Sequence, residues 1–175
     1  LGREESRRVI DKSLINITRG VSAATGEQFF EYLTNYLCIS MDADYAVIGC
    51  LSLGGDAVNT LAVSEKGKSI ENLTYNLQNT PCRNVFDGKS RIYHSNIQQL
   101  FPKDEMLIDL NISGYAGHPL KNSNGEVIGL IVVMFKSDIK KDNIFVEQPL
   151  AIFASRVEAE IERQTSTKAL IKSEE

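Results

Sequence analysis

The sequence has few cysteines. Its 175 residues include only three, Cys38, Cys50 and Cys82. A disulfide framework and a cysteine-type zinc site both need cysteines paired at characteristic spacings. Three widely separated cysteines provide no such pairs, which argues against both. A reducing, cytoplasmic environment is the simplest interpretation of this cysteine content.

Long apolar runs and blocks of basic residues are also lacking. No apolar run approaches the ~20 residues that a membrane-spanning helix needs, and no signal-peptide pattern opens the chain. The formal net charge is -4, with lysines and arginines scattered among the acids. We therefore expect neither nucleic acid nor a membrane as a partner of this segment. Because the first residue is Leu1, we expect the segment to be part of a longer protein.

Histidines are equally scarce. The sequence has only His94 and His118. A metal or haem site with three ligands needs further partners, and the sequence groups none near either histidine. We predict no metal site, and the pattern leaves the identity of any other cofactor open.

The stretch from Ser113 to Lys136 carries the strongest structural signal. Its Asn124-Gly125 pair separates two apolar runs, which predicts a hairpin because both residues tolerate positive φ. The second run, 127–135, is apolar at almost every position. That pattern predicts a strand at the centre of a sheet, covered on both faces. Gly129 predicts close approach by a neighbouring backbone or side chain.

Periodicity and turn signals predict the remaining elements. Val58, Thr60 and Ala62 are expected on one face of a strand. Thr80 is expected to cap a compact helix that Gly88 ends. We predict helices over residues 3–18, 27–40, 80–88, 96–100, 103–110 and from 144 or 147 to the end. We predict strands over residues 45–53, 57–63, 72–77, 91–93 and the two arms of the hairpin.

These elements predict an α+β fold. A central antiparallel sheet would carry the terminal helices on one face and short helices and loops on the other. We predict a linker or dimerisation helix over 1–21, a sensory domain over 22–163 and the start of a signalling helix over 164–175. In the last helix, apolar residues step by four, three and four and the stripe then turns polar, so its first half belongs to a core and its second half projects. The apolar positions are Leu150, Ala154, Val157 and Ile161.

Several short motifs occur in a characteristic order along nearly the whole chain. They are Ser-Ala-Ala-Thr-Gly-Glu from Ser22, Ala43-Asp44-Tyr45-Ala46, Tyr75-Asn76-Leu77 with Thr80-Pro81-Cys82, Phe101-Pro102 with Asp104 and Leu107, Ser113 to Leu120, Asn124-Gly125 with Ile128-Gly129, and Phe153-Ala154 with Arg156, Glu158, Glu160 and Glu162. In these motifs the sequence resembles a GAF domain, a small-molecule sensory module of signalling proteins. The resemblance implies a GAF-like, PAS-related fold within a large bacterial sensor protein. Neighbouring PAS domains and a histidine-kinase or diguanylate-cyclase output domain are expected there.

Cys82 is the sharpest candidate for a functional side chain. It is predicted in the first turn of a short helix, beside Arg83. Free helix amides and a nearby cation both favour a thiolate, which predicts a lowered pKa. A redox-sensing thiol or a covalent ligand anchor would follow. The alternative is a small residue packed under the helix, and this is favoured because most buried cysteines are inert.

The resemblance also implies a ligand pocket, which GAF folds roof with the crossover segment. Aromatic residues with a polar tip can line and orient a ligand, although the same side chains could form core. The predicted ligand-binding residues are Tyr75, Thr80, Cys82, Tyr93, Phe101, Tyr115 and His118.

Two ligands of known GAF domains lack support in this sequence. The Asp-Ile-Pro and Pro-Arg-x-Ser-Phe patterns of the phytochromes are absent, which argues against a bilin. The motif of cyclic-nucleotide-binding GAF domains is absent as a set, and Asn143, Phe145 and Glu147 only faintly echo it.

An N-terminal apolar stripe predicts a parallel homodimer. Ile10, Leu14, Ile17 and Val21 are spaced by four, three and four, which suits pairing across a two-fold axis. The last helix, with Leu150, Val157 and Ile161, is expected alongside.

Three functions stay open. The first is a non-catalytic sensory or regulatory module that binds a small ligand, dimerises, or does both. The second is a ligand-free dimerisation spacer, whose core would be filled by side chains. The third is an enzyme like the free methionine sulfoxide reductases. It is disfavoured because no attacking and resolving cysteines are grouped near Cys82.

Overall fold

The computed structural model describes residues 27–140 and 144–174, with side chains described from Gln28 to Thr167. The predicted helix over 3–18 and its stripe of Ile10, Leu14, Ile17 and Val21 lie outside the described residues.

The described residues form five helices and seven strands. The helices are α1 (Glu27–Ser40), α2 (Pro81–Val85), α3 (Ile97–Leu100), α4 (Glu105–Asp109) and α5 (Ile144–Glu174). The strands are β1 (Tyr45–Leu51), β2 (Ala57–Glu65), β3 (Lys68–Ile70), β4 (Thr74–Asn76), β5 (Arg91–Tyr93), β6 (Gly114–Lys121) and β7 (Val127–Phe135).

All seven strands join one antiparallel sheet in the order β3-β2-β1-β7-β6-β5, with β4 also paired to β2. The predicted hairpin of β6 and β7 is confirmed, and β7 lies near the middle of the sheet between β1 and β6. Helices α1 and α5 pack on the sheet. The predicted α+β architecture is confirmed.

The sheet separates two apolar cores, and β7 contributes to both. Ile131, Val133 and Phe135 face α1 and α5, in what we call the helix-side core. Leu130 and Val132, which alternate with them, face the segment from β4 to α4, in the crossover-side core. The near-continuous apolar run of β7 therefore reflects burial on both faces.

A β-bulge in β2 overturns one expectation. Ile48 pairs with Ala62, whereas the next residue, Gly49, pairs with Thr60, so Leu61 is the extra residue. The bulge turns Ala62 toward the helix-side core while Val58 packs in the crossover-side core. The prediction that Val58, Thr60 and Ala62 share one face is therefore wrong for Ala62.

Helix α2 begins differently from the prediction. The Thr80 side chain makes no cap hydrogen bond to the helix amides. Its hydroxyl instead donates to the carbonyl of Leu77, at 2.7 Å. The predicted C-terminal stop agrees with the structure, since Gly88 adopts a φ of 97° just after the helix.

Helix α5 leaves the domain core after its first half. Its 31 residues span about 46 Å at the rise of an α-helix. Leu150 and Val157 are buried in the helix-side core and Ile161 is half-buried, whereas residues 165–167 are exposed. In the part of the chain that the structure describes, no helix has both the length and the apolar character needed to cross a membrane.

Replacing Gly129 by Ala should destabilise the fold strongly. A Cβ at this position would lie 2.3 Å from the carbonyl oxygen of Gly49, on a paired backbone that cannot swing away. Forced overpacking of this kind costs about 1–3 kcal/mol of unfolding free energy. Urea unfolding measures the loss.

Gly54→Ala is the matched control for that substitution. Its added Cβ would meet only the Asp56 side chain, at 3.3 Å in an exposed turn, so the free energy of unfolding should stay within about 0.5 kcal/mol of wild type. Equal losses in the two variants would show that the Gly129 contact is not tight.

Candidate functional site

The crossover-side core brings together five of the seven predicted ligand-binding residues. Tyr75 lies on β4, Cys82 in the first turn of α2, Tyr93 on β5, Phe101 just after α3 and Tyr115 on β6. Cys82 and Tyr115 are buried members of this core, and the other three aromatic residues pack against it half-buried. The segments are distant in sequence, and only the pairing of β4 with β2 and of β5 with β6 gathers them on one face.

Two tyrosine hydroxyls converge on the Cys82 sulfur. The Tyr115 Oη donates to Cys82 Sγ at 3.1 Å, and the Tyr75 Oη donates to the same sulfur at 3.4 Å. The sulfur is a weak acceptor, but it satisfies two phenol hydroxyls that would otherwise be buried without partners. The three side chains therefore form a small hydrogen-bonded cluster within an apolar core.

The aromatic rings pack on one another. Tyr93 meets Phe101 edge-on, with centroids 5.5 Å apart, and meets Tyr115 at 5.9 Å in a tilted arrangement. Asn84 donates to the Tyr93 hydroxyl at 3.2 Å. Such edge-to-face pairs stabilise a core beyond their burial alone. Tyr93 thus packs between Phe101 and Tyr115.

Burial raises the pKa of the Cys82 thiol, because the thiolate is poorly solvated inside the core. The hydrogen bonds from Tyr115 and Tyr75 favour the thiolate and offset part of this effect. The predicted lowering of the pKa is therefore wrong: desolvation outweighs the short helix and Arg83, whose side chain is exposed. Burial likewise raises the pKa of both tyrosines well above its ordinary value, so the cluster is neutral at physiological pH.

Thr80 and His118 take no part in the hydrogen bonds of the cluster. Thr80 is buried beside it, but its hydroxyl is engaged by the Leu77 carbonyl. His118 pairs with Ile131, whose side chain lies in the helix-side core, so it faces the other side of the sheet. Burial lowers the pKa of His118, and the negative charges of Glu158 and Glu147 on α5 partly oppose this. A role of these residues in ligand binding stays a prediction.

The three cysteines are not gathered into one site. Cys38 is buried in the helix-side core, where its thiol donates to the Ala43 carbonyl at 3.1 Å. Cys50 is half-buried on β1, and Cys82 belongs to the crossover-side core. All three are free thiols. Among residues 27–140 and 144–174, no three or more His, Cys, Asp or Glu side chains are grouped to hold a metal ion.

An open cleft lies at the rim of the crossover-side core, and the sequence analysis missed it. It has a volume of about 340 Å³. Its walls come from three separate stretches, the end of β1, helix α2 with the residues after it, and the start of β7. The lining residues are Leu51, Arg83, Phe86, Asp87 and Val127. No local motif marks these residues, and only the antiparallel pairing of β1 with β7 brings the two strand ends together.

Comparison with solved structures identifies the architecture. The GAF domain of a phosphoenolpyruvate-protein phosphotransferase from Coxiella burnetii superposes with a TM-score of 0.76 and 19% identity, covering 91% of this chain and 96% of that one. The chain has the GAF fold. The corresponding domain from Acinetobacter gives a TM-score of 0.70 at 13% identity, covering 94% and 98% of the two chains. The chromophore-binding domain of a Stigmatella aurantiaca phytochrome gives 0.66 at 12% identity, covering 89% and 59%.

Sequence comparison is less specific about this GAF-fold domain. No family model matches the chain. Hybrid signal transduction histidine kinase F of Dictyostelium discoideum is 25% identical over 166 residues, which are 94% of this chain. The chain spans 14% of the length of that relative, so the match concerns one segment of a much larger protein.

The pKa of Cys82 should lie above the ordinary thiol value, and Tyr115→Phe should raise it further. Removing the Tyr115 hydroxyl takes away a hydrogen bond that favours the thiolate, so a higher pH is needed to ionise the sulfur. A pH titration of the Cys82 Cβ carbon by NMR measures both values. The same variant should lose about 1 kcal/mol of unfolding free energy.

Tyr32→Phe is the matched control for Tyr115→Phe. It removes an identical hydroxyl from the exposed face of α1 and should leave the Cys82 titration unchanged. A thiolate signal at neutral pH in the wild-type protein would contradict the assignment of Cys82 as a desolvated core thiol.

Proposed function

We propose that this chain is a non-catalytic regulatory module of a larger signal-transduction protein. In this proposal, a change in the crossover-side core is passed through the sheet to α5 and on to an output domain. The GAF fold and the similarity to a segment of a hybrid histidine kinase support this role. A histidine-kinase output and neighbouring PAS domains are part of the proposal, and a diguanylate-cyclase output is the alternative.

The observation that carries the proposal is the position of β6. Its residues alternate between the two cores. Tyr115 packs in the crossover-side core, whereas Ala116 and Leu120 belong to the helix-side core. Helix α5 packs chiefly on this strand, whereas α1 covers β2 and β1. One strand is therefore shared by the aromatic cluster and the projecting helix, and close packing transmits a displacement of either.

Polar contacts fix α5 to the same edge of the sheet. The Ser90 hydroxyl donates to a carboxylate oxygen of Glu147 at 3.0 Å, and the backbone amide of Lys121 donates to Glu158 at 2.5 Å. Each such exposed bond contributes only on the order of 1 kcal/mol, so a modest rearrangement at β6 can change them. A long helix held at this edge by two weak hydrogen bonds can change position at little energetic cost, as a signalling helix must.

A second candidate function is the ligand-free dimerisation spacer. The filled crossover-side core supports it, since Tyr115 is fully buried and the rings of Tyr93 and Phe101 occupy the space beneath the crossover segment. The enzymatic alternative lacks comparable support, because Cys38 and Cys82 lie in different cores.

Tyr115→Leu should loosen α5 if β6 couples the two cores. The smaller side chain leaves space in the crossover-side core and removes the hydrogen bond to Cys82. Hydrogen exchange followed by mass spectrometry should show faster exchange in residues 144–161, by about tenfold beyond the change in global stability.

Val63→Ala provides the control for this coupling. It removes buried volume from the same core, but on β2. The helix that packs on β2 is α1, whereas α5 packs mainly on β6. Exchange in α5 should then change only with global stability. Equal effects of the two variants on α5, after correction for global stability, would overturn the proposed route.

We also propose a parallel homodimer that forms through the N-terminal stripe. Leu150 and Val157 are buried in the chain's own core, so they are not available to a partner. The double substitution Leu14→Glu and Ile17→Glu would place charges in a coiled-coil seam and should yield a monomer by native mass spectrometry. An unchanged dimer would exclude this interface.

In the wild-type spectrum, mass beyond the polypeptide would favour the ligand-binding module, and the bare polypeptide mass would favour the spacer.

A further inference from the structure

We infer that the open cleft between β1, α2 and β7 binds a small organic anion with a flat apolar body and one anionic group. The inference deepens the proposed function, on which it rests, by giving the module a class of ligand. The site is separate from the cluster around Cys82, so binding requires no displacement of the packed aromatic rings.

The size and walls of the cleft suit such a body. A volume of about 340 Å³ falls within the range of small-molecule sites. Leu51, Phe86 and Val127 are each half-buried, so apolar surface faces the cleft and is left in water. Covering this surface with an apolar ligand is favourable because apolar area is then removed from water.

The charges at the cleft select the sign of the ligand. Asp87 forms an ion pair with Arg91, whose Nε also donates to the Asn84 carbonyl at 3.2 Å. Arg83 is exposed at the rim, and among the described residues its guanidinium has no carboxylate or hydrogen-bond partner. An arginine beside an apolar wall is suited to a carboxylate, sulfonate or phosphate through paired hydrogen bonds.

The cleft also adjoins the part of the molecule that the proposed function uses. Leu51 and Phe86 line the cleft and pack against the crossover-side core, to which Tyr115 of β6 belongs. A ligand seated on Phe86 would therefore press on the same core that β6 shares with α5. This continuity gives the cleft a physical connection to the projecting helix.

The test uses two fluorescent probes that differ in charge but share an aromatic body. Anilinonaphthalene sulfonate carries one anionic group, and phenylnaphthylamine is its uncharged counterpart. The wild-type chain should bind both, and Arg83→Gln should weaken the sulfonate by about fivefold or more while changing the uncharged probe by less than about twofold. Lys103→Gln, which removes an exposed cation outside the cleft lining, should leave both affinities unchanged.

Amide chemical shifts of the folded protein locate the bound probe independently of affinity. The shifts should concentrate at Leu51, Arg83 and Val127 in the wild-type chain. Three results would overturn the inference: no sulfonate binding at millimolar concentration, equal sulfonate affinity in wild type and Arg83→Gln, or shifts confined to another surface.

The two proposals fail in different ways. If the sulfonate binds through Arg83 but hydrogen exchange in α5 is unaffected by Tyr115→Leu, the site stands and the route through β6 is excluded. If α5 responds to Tyr115→Leu but the sulfonate does not depend on Arg83, the route stands and the anion site is excluded.

Discussion

The pairing of β1 with β7 is the contact on which the rest of the fold depends. The two strands approach so closely at Gly129 that an added Cβ would meet the Gly49 carbonyl oxygen at 2.3 Å. Both faces of β7 are buried, so this pairing closes two cores at once. The domain contains one sheet, and both cores are built on it. Loss of the β1–β7 pairing would therefore disrupt both cores.

This arrangement gives β6 a place in both cores. It pairs with the central strand β7 along its whole length and presents alternate residues to each core. Because side chains in a strand alternate strictly, a shift of β6 moves Tyr115 on one side and Ala116 on the other together. The proposed coupling therefore needs no mobile loop, since it would follow from the geometry of a strand packed on both faces.

The sequence predicted those features whose signal is local. The Asn-Gly turn and unbroken apolar run of the hairpin, and the apolar stripe of α5, are such signals, and each element was found. The bulge at Leu61 and the exposed three-residue strand β3 were missed because neighbouring strands decide them. The pKa of Cys82 was predicted in the wrong direction because burial, a tertiary property, outweighs the local helix and cation. The cleft has no local signal, since three distant stretches form it.

The crossover side has two regions that differ in charge and in exposure to water. Around Cys82, burial holds the thiol and both phenols neutral, and their mutual hydrogen bonds leave little to offer a charged ligand. At the rim, the exposed guanidinium of Arg83 lies beside half-buried apolar walls. A charged ligand entering the filled core would lose its hydration without a compensating partner, whereas at the rim its anionic group stays near water. The proposed recognition at the rim and the proposed transmission through the packed core would therefore depend on different residues.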